Sequence, residues 1–97
     1  MYATLAADKP SPKLYLGSLL RERGFDVEKK YTLLWDAETL ELGLEPSENG
    51  FKVFEGHKLY AISAGAFCRR FGIKDRLEAI LVSELGNTWI LRMKKVD

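Results

Sequence analysis

Arg69 and Arg70 stand side by side in Ala64–Gly72. Two adjacent guanidinium groups can clamp phosphate oxygens or fork onto guanine edges. Around them Ala64, Phe67, Cys68 and Phe71 recur at spacings of three and four, which predicts a helix with its apolar side inward and both arginines on the solvent side. A solvated helix surface is the alternative for the pair. His57 beside Lys58 has no serine, cysteine or carboxylate at a spacing that would make it a general base. Cys68, the only cysteine, falls on the apolar helical side as a structural thiol. With one cysteine and one histidine there is no zinc cluster, and neither a GxxxxGK[ST] nor a GxGxxG string offers a phosphate loop. No enzyme, metal or cofactor is expected.

The elements that must position these residues occur twice. Lys13-Leu14-Tyr15 recurs as Lys58-Leu59-Tyr60, Ser18 matches Ser63, Arg21 matches Arg69 and Gly24 matches Gly72; later Thr39 pairs with Thr88 and Leu42 with Leu91. Each copy opens with a short strand, 2–5 or 51–54, and a loop, followed by a second strand from Lys13 or Lys58. Ser18 and Ser63 are then placed as helix N-caps, and Gly24 and Gly72 as left-handed helix ends. Leu19 and Leu20 turn inward on the first helix. A hairpin closes each copy, Tyr31–Trp35 with Thr39–Leu44 and Leu77–Val82 with Thr88–Met93, and Trp35 and Trp89 serve as core or interface anchors. Pro46–Gly50 joins the copies. The expectation is one domain, with repeats 1–46 and 50–95 completing a single core as a pseudo-dimer. Phe67, Phe71, Ile73, Leu42 and Leu91 are its predicted core.

Composition limits the rest. The 97 residues suffice for one core, and 46% hydrophobic with 30% charged residues is ordinary globular usage. No apolar run approaches the ~18 residues that span a bilayer, and the start has no leader pattern, so a cytoplasmic location without membrane attachment is expected. The formal charge of +1 is unevenly spread. Residues 1–48 hold six Lys/Arg against nine Asp/Glu, and residues 49–97 hold nine against five. Such asymmetry fits a nucleic-acid face or an acidic half that complements a basic one. Arg92, Lys94 and Lys95 alternate with Met93 as charges that protect an edge strand.

The run from Ala61 to Asp75 resembles the strand, short helix and Gly-Ile turn of swapped-hairpin AbrB-like DNA-binding domains, which include MazE-type antitoxins. Leu14 to Phe25 is similar to the SymE-type toxins of the same fold. The family's proline after the second strand is absent; Gly17 and Ser63 stand near its place. The resemblance implies a mostly β protein with two short helices, a duplicated β-β-α-β-β swapped-hairpin barrel folded as an intramolecular pseudo-dimer. It also implies DNA contact through basic residues of the first loop, the second strand and the helix. Those positions are Lys9, Lys13, Arg21 and Arg23 in copy one and His57, Lys58, Arg69 and Arg70 in copy two. The expected function is a DNA-binding transcriptional regulator or antitoxin-like protein with double-stranded DNA as partner. A protein-interaction module on the same fold, with a protein partner, is the main alternative. A SymE-like RNA-binding or RNA-cleaving toxin is the second. The chain is expected as a pseudo-dimeric monomer or a homodimer of such units.

Overall fold

Alternation of apolar and polar residues decides which way each strand faces. In the computed structural model, which describes residues 3–17, 24–56 and 59–96, eight strands form. They are β1 (Ala3–Leu5), β2 (Lys13–Leu16), β3 (Lys30–Asp36), β4 (Glu41–Pro46), β5 (Phe51–Gly56), β6 (Leu59–Ser63), β7 (Leu77–Leu85) and β8 (Thr88–Lys95). One short helix, α1 (Gly65–Phe71), follows β6. The first expected helix falls on residues 18–23, outside the described residues. Leu14 and Leu16 of β2, Tyr31 and Leu33 of β3, and Trp89, Leu91 and Met93 of β8 point inward at period two and are buried. β7 keeps this period only as far as Ala79. A bulge between Ala79 and Leu81 then shifts the register, so Val82 is the next buried residue while Ile80 and Leu81 face outward.

Every pairing is antiparallel, and the strands close into a barrel in the order β1-β2-β6-β5-β3-β4-β8-β7. Closure leaves no sheet edge, so Arg92, Lys94 and Lys95 lie on an interior strand of the barrel and protect no edge. Four seams join the first four strands to the last four: β1 with β7, β2 with β6, β3 with β5 and β4 with β8. Exchanging β1–β4 for β5–β8 leaves this set of pairings unchanged.

The barrel interior is one cluster. Leu5, Leu14, Leu42, Leu44, Ile62 and Leu91 are fully buried in it, as the alternation of their strands requires. Phe25 stacks on Tyr31 with ring centroids 4.7 Å apart and lies 5.8 Å from Trp89. The Tyr31 hydroxyl donates to the Asp26 carbonyl at 2.7 Å. Burial and the Asp26 charge raise the Tyr31 pKa from its ordinary value, so this phenol stays a donor.

The helix departs from expectation in its N-cap and in the exposure of Phe71, and ends as expected at Gly72. Its N-cap is Ala64, with no side-chain cap, and Ser63 is an exposed residue of β6. Ala64 is buried, so this position is filled by a small side chain that packs, and a hydroxyl there would be desolvated. At the other end Gly72 takes φ +65 and its N–H bonds the Cys68 carbonyl, the left-handed ending that glycine adopts without a Cβ clash. That ending limits α1 to seven residues. Ala64, Phe67 and Cys68 are buried as the spacing predicts, but Phe71 is 41% exposed, lining an open groove with Phe51 and Arg70. Ile73 packs half-buried against the core, its N–H on the Cys68 carbonyl at 2.9 Å.

The joint between the halves is a tight turn. Ser47 N–H bonds the Lys30 carbonyl and Gly50 N–H bonds the Ser47 carbonyl, both at 3.0 Å. A Cβ on Gly50 would press into the Tyr31 carbonyl and lie 2.8 Å from the Thr32 nitrogen. Backbone cannot yield there as a flexible side chain would. Gly50→Ala is expected to lower unfolding free energy on the order of 3 kcal/mol in chemical denaturation, as overpacking does. Phe67→Ala should cost about 3 to 5 kcal/mol as a core truncation. Phe71→Ala should cost about 1 kcal/mol, the worth of its edge contact with Phe67; equal losses would mean that Phe71 is a core residue.

Candidate nucleic-acid interface

The four described residues among the eight candidates do not share one surface. Lys9 is exposed in the turn after β1, where its N–H approaches the Ala6 carbonyl at 3.4 Å. Lys13 begins β2, half-buried, directly opposite Ser63 of β6. Pro12 ties this loop to the helix start: its carbonyl accepts the Ala64 N–H at 3.0 Å. Arg69 folds back over the same place, since a Cβ on Gly65 would lie 3.3 Å from Arg69 Nη1 and 3.9 Å from Pro12 Cδ. Lys13 and Arg69 therefore flank one corner, built from a loop of the first half and a helix of the second. On the same loop, Asp8 forms an ion pair with Arg76 at 3.7 Å, with both side chains near 40% exposed. Such a surface pair is weak and free to rearrange around an anion.

Arg70 turns elsewhere. Its guanidinium lies 5.3 Å from the centroid of Phe71, and it lines a shallow groove with Asn49, Gly50, Phe51 and Ala66. The arginines adjacent in sequence thus serve different neighbourhoods. Arg21, Arg23, His57 and Lys58 lie outside the described residues.

Two basic residues outside the family-derived set emerge from the ladders. Lys30 of β3 stands directly opposite Lys52 of β5, both exposed. Like charges directly opposite one another are destabilising. Alternation marks each lysine as outward-facing in the sequence, but only strand order makes them neighbours.

Cys68 is buried beneath α1. Burial pushes its thiol pKa up, and the nearby Arg69 charge pulls it partly back. The thiol is therefore protonated at neutral pH and is no nucleophile. Among the described residues no group of three or more His, Cys, Asp or Glu could hold a metal ion. No described helix is long and apolar enough to cross a membrane.

Comparisons with protein-family models, with curated proteins and with solved structures find no match for this chain.

The buried thiol reports on Arg69. Labelling of Cys68 by a thiol-reactive dye should be slow at neutral pH and rise only above the ordinary value of 9. Arg69→Gln should move that midpoint to still higher pH, because it removes the one charge that favours the thiolate; an unmoved midpoint would separate the two groups.

Proposed function

We propose that the chain is two tandem β-β-α-β-β units of the swapped-hairpin AbrB type, folded as an intramolecular pseudo-dimer, and that it binds duplex DNA as a transcriptional regulator or antitoxin-like protein. The observation that carries the architecture is the exchange symmetry of the ladders. Leu5 faces Leu14 in one hairpin and Val53 faces Ile62 in the other, each residue 48 positions on. Thr4 faces Glu78, and Lys52 faces Lys30, the same shift taken in opposite directions across the seams. In the later hairpins the same shift takes the rung of Asp36 with Glu41 to that of Glu84 with Trp89.

This shift aligns Leu14–Phe25 with Ile62–Ile73 without a gap, keeping Arg21 with Arg69 and Gly24 with Gly72. It favours Leu14 with Ile62 over the match of Lys13 to Lys58, and Leu42 with Ile90 over its match to Leu91. Interleaving then gives the DNA-binding reading its surface: Pro12 of one unit meets the helix start of the other, bringing Lys13 and Arg69 to one corner, with Lys9, Arg21, Arg23, His57 and Lys58 as further candidates.

The exposed Phe51 and Phe71 beside Arg70, at 43% and 41%, favour a protein-interaction module as the second reading. Electrophoretic shift of random duplexes from low to moderate salt separates the two. On the DNA reading the wild type binds at low salt, and replacing Arg69 and Arg70 by alanine weakens binding to every sequence. The slope of log affinity against log salt then falls by about 0.9 for each phosphate left without its arginine. The circular dichroism spectrum should not change, since both residues are exposed. A wild type that shifts no duplex at low salt would leave the protein-interaction reading.

A further inference from the structure

We propose that the outer surface of β3, β5, β6 and β2 binds single-stranded nucleic acid, with phosphates on Lys30, Lys52 and Lys13 and bases stacked on Phe54 and Tyr15. This surface shares Lys13 with the Arg69 corner but none of its helix, and does not rest on the duplex reading.

The strand order creates it. β3, β5, β6 and β2 are consecutive in the barrel. Lys30 faces Lys52 across β3 and β5; Ser63, one step beyond the rung of Val53 with Ile62, stands beside Lys52; and Lys13 faces Ser63. These residues alternate with the buried Tyr31, Leu14 and Ile62, so all point outward. Three strand spacings separate Lys30 from Lys13, about 14 Å, with a serine as the only uncharged member of the row. The ion pairs formed among the described residues are Arg76 with Asp8 and Lys95 with Asp75, and neither involves these lysines. Lys29 adjoins the row, and Glu28 is the carboxylate that shares its hollow with Lys29, Lys30 and Lys52.

A second row runs beside the first, two residues along each strand and about 6.7 Å away. Phe54 of β5 faces Ala61 of β6, and Ala61 faces Tyr15 of β2. Ala61 between the two rings is buried although it points outward, while Phe54 is 41% exposed and Tyr15 half-buried. Thr4 and then Glu78 continue this row, so a carboxylate ends the track on the β7 side. Cations in one row, with an exposed and a half-buried ring in the next, suit a strand whose bases are unstacked: the backbone lies on the lysines while bases lie on the rings. A duplex keeps its bases inside and leaves the rings idle. An anion across the Lys30 and Lys52 rung also removes their mutual repulsion.

The test uses fluorescence anisotropy with labelled oligo(dT) and oligo(rU) of about eight nucleotides, the scale of a single stacking platform. Both should bind at low salt. K30Q/K52Q should weaken both and lower the salt slope by about 0.7 for each phosphate left without its lysine. Phe54→Ala should weaken binding by roughly 5- to 100-fold with the salt slope unchanged, as loss of base stacking does. The variant lacking Arg69 and Arg70 should bind single strands like the wild type. Equal binding of the two oligomers identifies a backbone-and-ring track, and tighter oligo(rU) binding identifies RNA as the source of the strand. In thermal melts at low salt without oligomer, Lys52→Gln should raise the melting temperature by relieving the rung. Absent single-strand binding, an unaffected Phe54→Ala, or loss seen only on removal of Arg69 and Arg70 would overturn the proposal. Failure of duplex binding with single-strand binding intact would sink the duplex reading alone.

Discussion

Closure of the barrel depends on backbone hydrogen bonding between the halves. Each half contributes two hairpin pairings, and the other four ladders of the barrel cross from one half to the other. The shortest crossings, β1 with β7 and β3 with β5, have two rungs each, yet they convert two open sheets into a ring without edges. A half alone would expose the inner faces of Leu14, Leu42 and Leu44 together with unpaired backbone groups. Folding of the halves is therefore coupled through the backbone as much as through the core.

The joint at Pro46–Gly50 has to respect that coupling. β4 ends and β5 begins on opposite sides of β3, both paired with it at Tyr31. The connection must cross the end of β3 at close range, and the tight approach of Gly50 to the Tyr31 carbonyl is its consequence. Tyr31 meets four constraints at once: two ladders, the Phe25 ring and the Asp26 carbonyl. The β7 bulge and the left-handed Leu40, at φ +56 with its carbonyl on the Met93 N–H, adjust the hairpins without disturbing the seams.

The same weave sorts the charges. A near-neutral chain has no basic face by composition, and its first half is acidic. Pairing β3 with β5 and β2 with β6 nevertheless gathers Lys30 and Lys13 of the acidic half around Lys52 of the basic half. Conversely, Arg69 and Arg70, the densest basic signal in the helix, separate toward Gly65 and Phe71 because neighbours on a helix diverge by about 100°.

Local rules made the strands legible: short runs bounded by loop residues located the first two strands of each half, period-two alternation located the later hairpins, and the spacing of Ala64, Phe67 and Cys68 with Gly72 located α1. Leu42, Leu91 and Phe67 could be named as core on the same ground. Ser63 and Phe71 could not be placed by local rules, because a cap and the exposure of a last turn depend on where the helix meets the barrel. Residue matching by identity likewise selected Lys13 with Lys58, whereas the ladder of β1 with β2 overlays that of β5 with β6 with Leu14 on Ile62, both buried. Which residues face inward along a regular strand is written in the order of the amino acids, since that needs only the backbone period, which the bulge in β7 interrupts. Which outward residues become neighbours is not, because strand order is set by contacts between segments far apart in the chain; Lys30, Lys52 and Lys13 form a row only when β3, β5, β6 and β2 lie side by side.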